Sequence, residues 1–228
     1  MITIENKVLV RYEDGSYGKA YDSVEDFQKG LAIVVLDGKW GFINEKGEEI
    51  VSPKYDYIDN FDNGYARVKI DDKLGIINEN GEEIVSPKYD YINPFINGFA
   101  QVKLNGKWGF VNEEGEEIVS PKYDHMGDFN NGFVRVERNG KWGFVNEEGE
   151  EIVSPKYRYS YDFDNGIARV ERNGKWGIIN ERGEEIVSPK YNNIDKFENG
   201  FARVELNGKL GVVNQKGEEV VPPVMTKK

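Results

Sequence analysis

One register runs through this chain: a 34-residue repeat that no insertion interrupts from Tyr21 to Gly217. Trp40, Leu74, Trp108, Trp142, Trp176 and Leu210 fall 34 residues apart. Tyr21, Tyr55, Tyr89, Tyr123, Tyr157 and Tyr191 keep the same spacing, as do the columns that begin at Phe27 and Gly30. Chance does not produce several phased columns. A period of this length marks one supersecondary unit that is too small to be stable alone and buries its core against its copies.

The unit reads as strands. In Phe133 to Tyr157, FVRVER puts Val134 and Val136 on one face and Arg135 and Glu137 on the other, the alternation of a half-buried strand. Asn139-Gly140 is the signature of a type I′ hairpin, whose two central residues need positive φ. KWGFVN then places Trp142 and Phe144 on one face, and the bare Gly143 between them predicts a close approach to its backbone. Gly149 supplies the next turn, EEIVS is a third strand, and Pro155, which has no N–H, is expected to end its pairing. The connection to the next unit carries apolar residues such as Ile58 and Phe61, which should seat it on the core as a short fourth strand.

The first 21 residues are a worn copy, with turns at Asn6-Lys7 and Asp14-Gly15. The expectation is therefore one all-β domain over residues 1–228, a degenerate first unit at 1–21 and regular units over 22–228. Seven antiparallel β-meander units of this kind suit a propeller-like toroid, with an open β-solenoid or superhelix as the alternative. Both ends of the chain fall at unit boundaries, which fits an array of whole units.

The run GKWGF, then NExGEEIVSPKYD, then FxNGxARV, resembles the WG (KWG) repeat family of bacterial tandem repeats, over nearly the whole chain. Trp-Gly stands at Trp40-Gly41, Trp108-Gly109, Trp142-Gly143 and Trp176-Gly177, and Leu replaces Trp at Leu74 and Leu210. That exchange predicts a packing role for the column. The resemblance implies neither a catalytic activity nor a fixed ligand. The strand–turn pattern is also similar to blades of quinoprotein-type β-propellers.

Composition narrows the chemistry. The absence of cysteine excludes disulfides, thiolate metal sites and Cys nucleophiles. A net charge of −11 repels phosphate backbones, so no nucleic-acid partner is expected. No apolar run approaches the roughly 18 residues of a membrane span. MITIENKVLVRYEDG does not read as a signal peptide, so a cytoplasmic address is the default, and an exported one follows if a leader was removed.

The repeat also judges the candidate residues. His125, the single histidine, falls in the column of Tyr57, Tyr91 and Tyr159, with Ser23 and Asn193 at the ends, so acid–base catalysis is not expected of it. The carboxylate pairs Glu116-Glu117, Glu150-Glu151 and Glu184-Glu185 recur beside turn glycines and read as solvated turn charge. The DNFDNG loop lacks calcium-ligand alternation because Phe61 interrupts it. No enzyme, cofactor or metal is expected. What varies between copies is the better guide to binding. The column Arg67, Arg135, Arg169 and Arg203, with Ile33 and Gln101, offers guanidinium forks suited to carboxylates. The column Tyr57, Tyr91, His125 and Tyr159 offers ring area at low entropic cost. These eight residues form the candidate binding surface of a monomeric, non-enzymatic scaffold. Its expected partner is a protein, with a small ligand or glycan as the alternative.

Overall fold

The computed structural model describes residues 2–4, 7–11 and 15–223, and all regular structure there is β. The turns expected at Asn6 and Asp14 lie outside the described residues. Among the described residues no helix is long and apolar enough to cross a membrane.

Each regular repeat is a four-stranded antiparallel meander, the sheet of a propeller blade. In the sheet of residues 125–157 the strands are His125–Met126, Phe133–Arg138, Lys141–Asn146 and Glu151–Tyr157, paired in chain order. The described residues form six such sheets, preceded by a three-stranded one made of Ile2–Ile4, Lys7–Arg11 and Tyr17–Tyr21. The connection thus does form a short strand, and it opens each sheet. Packing divides the chain into two compact units, Met1–Gly106 with Phe110–Glu117 and Lys107–Gly109 with Ile118–Lys228.

Two tight turns shape each meander. Asn139 and Gly140 have φ of 55° and 69°, the expected I′ hairpin. Asn131-Gly132 makes a second turn of the same kind, with φ of 52° and 82°, between the connection and the second strand. Its signal in the sequence is the Asn-Gly pair itself.

The last strand departs from the expectation. It runs through Pro155 to Tyr157 instead of ending at the proline. Phe144 pairs with Val153 and Trp142 pairs with Tyr157, so two extra residues bulge from the last strand between them. Pro155 sits in that bulge, where its missing N–H costs no ladder bond. The bulge also explains Gly143. A Cβ there would collide with the Val153 carbonyl and lie 2.7 Å from Pro155 N. The close approach predicted at the WG glycine is therefore backbone on backbone within one sheet.

The core lies between successive sheets. Phe144, Val153 and Tyr157 of one sheet pack on Phe163, Ala168, Val170 and Ile179 of the next. In the first unit, Ile33, Phe42, Val51 and Tyr55 meet Ile58, Ala66, Val68 and Ile77 in the same way. A sheet held between two others buries both faces, so the neighbours Ile178 and Ile179 are both fully buried, one against each adjoining sheet. In Phe133–Arg138 the expected alternation holds, with Val134 and Val136 buried and Arg135 and Glu137 half-buried. The Arg face is the one that meets the following sheet.

Polar groups fasten the stack at its edge. The buried Tyr55, Tyr123, Tyr157 and Tyr191 each donate their hydroxyl to a glutamate 28 residues on, Glu83, Glu151, Glu185 and Glu219, at 2.6–2.8 Å. Lys54 and Lys190 add ion pairs to the same carboxylates, at 2.8 and 2.9 Å. The first glutamate of each pair does something else: Glu150 accepts from Asn146 Nδ2 at 3.1 Å and closes the local turn. The carboxylate pairs are thus not merely solvated turn charge. One member closes a turn and the other joins two repeats.

Candidate functional site

The short first strand of each sheet carries the Tyr57 column at an exposed position, two residues after the buried clamp tyrosine. Tyr57, Tyr91 and Tyr159 are 45%, 43% and 53% exposed. His125 is exposed as well, and its nearest acid, Glu137, lies 3.7 Å away. The alternation of the strand decides this: Ile58 and Ile92 point inward and are buried, so their predecessors point out.

The Trp column lies beside this strand. The Trp40 ring sits 5.1 Å from Tyr57 of the following sheet, and Trp176 stacks on Tyr161 at 5.5 Å. Trp40 and Trp176 pack on their inter-sheet cores while remaining half-buried. The column is a partial lid on the core, less enclosed than the expected tight packing between units, and its Leu210 equivalent is exposed.

The Arg column occupies the face between sheets. Arg135 Nη1 donates to the Ser160 carbonyl at 2.8 Å, and Arg169 Nη1 to the Ile194 carbonyl at 2.7 Å. Arg67 Nη1 reaches the Ile92 carbonyl at 3.4 Å. Each of these carbonyls belongs to the first strand of the next sheet. Acids also hold most of the column: Arg67 pairs with Asp59 at 2.6 Å, Arg135 with Asp162, and Arg203 with Asp195 at 2.7 Å. Arg203 is exposed. An open guanidinium ladder is therefore not what the column makes.

The two columns do meet in the first unit. Asp59 pairs with Arg67 and hydrogen-bonds Tyr57, and that bond with its charge raises the Tyr57 phenol above its ordinary value. In the second unit, Tyr159 pairs across the sheet with Glu171, and the Arg158 guanidinium lies 5.4 Å from its ring. Arg169 lies instead against Tyr161, 4.0 Å from the ring centroid.

Cavities open beside the Arg column. One of about 310 Å³ is lined by Asp59, Asn63, Tyr65, Arg67 and Phe95, among others. Another, of about 490 Å³, is lined by Tyr161, Asp164, Arg169 and Phe197 at corresponding places. The connection loops that border them offered no signal in the sequence beyond their variability. Among the described residues no three His, Asp or Glu side chains are placed to hold a metal ion.

The sequence model of the WG containing repeat matches residues 19–40, 40–73, 75–108, 108–142, 142–176 and 176–209. The chain belongs to that family. No curated protein matches this WG-repeat chain in sequence. Among solved structures it is similar to Hsv2p of Kluyveromyces lactis, at 12% identity over 84% of this chain and 74% of that one, with a TM-score of 0.36. It is also similar to a eukaryotic initiation factor, at 9% identity, 93% and 72% coverage and a TM-score of 0.40. A third is YCF48 bound to D1 peptide, at 15% identity, 87% and 76% coverage and a TM-score of 0.30.

Proposed function

We propose that this WG-repeat chain is a non-enzymatic scaffold that binds another protein through the exposed rings of its first strands. The observation that carries the reading is the contrast between two neighbouring columns. The clamp tyrosines Tyr55, Tyr89, Tyr123 and Tyr157 are invariant and fully buried. Two residues later, Tyr57, Tyr91, His125 and Tyr159 vary and are exposed. Rings that keep about half of their surface open to solvent are available for recognition, and rigid amphipathic rings are suited to it. His125 stands in this column as one more exposed ring. Its distance from Glu137 and its place among tyrosines favour recognition over acid–base chemistry.

The test is capture from native extract with the wild-type chain and with a variant carrying Tyr57→Ser, Tyr91→Ser and Tyr159→Ser. A protein retained by the first and lost by the second, at equal melting temperature, supports the reading. Identical retention overturns it. The neighbouring rings of the half-buried Trp40 and the exposed Tyr57 favour a second reading, a glycan ligand. Saturable binding on a glycan array would select that one.

A further inference from the structure

Arg169 differs from its three counterparts. Arg67, Arg135 and Arg203 each have a carboxylate partner, Asp59, Asp162 and Asp195. Among the described residues, no carboxylate lies within 4.0 Å of the Arg169 guanidinium. The sequence shows why. Where the repeats of Arg67 and Arg203 carry Asp59 and Asp195, the repeat of Arg169 carries Tyr161. The Tyr161 ring stacks against the guanidinium and supplies no negative charge. Nη1 is engaged by the Ile194 carbonyl. In Arg67 and Arg203 the acid takes Nε, at 2.6 and 2.7 Å. The corresponding edge of Arg169 has no acid.

Arg169 lines the cavity of about 490 Å³. The other charges in its wall are matched: Asp162 pairs with Arg135, and Asp164 with Lys196 at 3.8 Å. Arg169 is left as the unmatched charge. Burial works against that charge, opposed by the more distant Asp195 and Asp164. A partly buried cation without a counter-ion is unfavourable, and an incoming anion relieves it.

We propose that this cavity binds a carboxylate, which takes on Arg169 the place that Asp59 fills on Arg67. The planar fork suits that group, and Tyr161 and Phe197 offer an apolar wall for the rest of the molecule. The inference stands apart from the protein-binding reading, since a free organic acid and a glutamate side chain present the same chemistry.

Trp176 reports on the site through its stacking on Tyr161. The full chain is titrated with N-acetylphenylalanine, with its neutral amide, and with a terminally blocked peptide bearing one central Glu, while the Trp176 indole N–H is followed by NMR. The acid or the Glu peptide should shift that signal saturably, and the amide should not. A response to the small acid alone marks a free organic acid as the source, and a response to the peptide alone marks a side chain. Arg169→Gln should weaken the responding probe about tenfold or more, as expected for losing a charge-assisted hydrogen bond. Tyr161→Asp, followed by calorimetry because it removes the ring through which Trp176 reports, should do the same while keeping Arg169 and its bond to Ile194. It should weaken binding more than its isostere Tyr161→Asn, because only the Asp supplies the missing acid from within the chain. It therefore decides the matter even if Arg169→Gln loses the fold. Equal shifts from acid and amide, no shift from any probe, or undiminished binding by Tyr161→Asp would each overturn the proposal.

Discussion

The Tyr157 hydroxyl donates to the Glu185 carboxylate at 2.8 Å across 28 residues, joining the end of one sheet to the start of the next sheet's last strand. Burial alone would raise the Glu185 carboxyl, but hydrogen bonds from Tyr157 and Arg172 and the charges of Arg172 and Lys156 outweigh it. Its value is lowered from the ordinary 4.5. Burial and the bond to Glu185 push the Tyr157 phenol up from 10.0. Glu49, Glu83, Glu151 and Glu219 are lowered and Tyr55, Tyr89, Tyr123 and Tyr191 raised in the same manner.

The pH dependence of stability follows. A carboxylate lowered on folding stabilises above its unfolded value, and that contribution is lost as pH falls through the folded value. A raised phenol contributes fully below its unfolded value, and the contribution is lost as pH rises through the folded one. Melting temperature should therefore hold between about pH 5 and pH 10 and fall on both sides. Glu185→Gln should be less stable at pH 7 by about 1–3 kcal/mol, as expected for weakening a charged hydrogen bond. It should also lose less stability on acidification than the wild type. An unchanged acid slope would mean that the clamp does not set the pH response.

Gly143 and Gly140 should respond differently to the same substitution. Gly143→Ala drives a Cβ into the Val153 carbonyl and the bulge at Pro155, which cannot yield without breaking the sheet. A loss of about 3 kcal/mol or more is expected, at the upper end for overpacking. Gly140→Ala meets no atom within 4 Å and bears only the strain of φ at 69°. It should cost about 1–2 kcal/mol, the left-handed penalty alone. Denaturant midpoints of the two variants check the order.

Much of this unit could be read from the residues, and the failures share one cause. Asn139-Gly140, Val134 and Val136, and Gly143 declare their roles locally, through turn chemistry, alternation and a missing side chain. Tyr157 and Glu185 do not, because each is invariant in its own column and nothing in either column points to a residue 28 positions away. Arg135 stands on a face that alternation marks as polar and therefore outward. In a stack that face is covered by the next sheet, and the guanidinium is read correctly only with the Ser160 carbonyl in view. Pro155 misled for a different reason: breaking a ladder and filling a bulge look the same in sequence. The Tyr57 column could be placed by alternation, whereas the unmatched Arg169 required knowing that position 161 faces position 169.

Trp142 should matter less than a fully enclosed tryptophan. It is half-buried, with the Arg135 guanidinium 5.3 Å from its ring. Trp142→Ala should cost about 1–3 kcal/mol, below the range of about 3–5 kcal/mol for a buried aromatic. Trp142→Leu should cost less than about 1 kcal/mol, because a large apolar side chain keeps most of the cover. Leu74 holds the same position in its repeat and packs on the core there. Thermal melts of the two variants would show it. Equal losses would mean that the ring itself, and not its apolar area, is required.

The arginines should separate by position rather than act as a set. Arg135→Gln removes the hydrogen bond to Ser160, the ion pair with Asp162 and the contact with Trp142. A loss of about 1–3 kcal/mol is expected, the range for hydrogen bonds to charged groups. Arg203→Gln removes one exposed pair with Asp195. Its effect should stay within about 0.5 kcal/mol. Arg67→Gln should fall between them, since its reach to the Ile92 carbonyl is longer, at 3.4 Å. Chemical denaturation of the three single variants gives the ranking. If Arg203→Gln proved as costly as Arg135→Gln, the carbonyl of the next sheet would not be what the column stabilises, and the ion pairs alone would have to account for the loss.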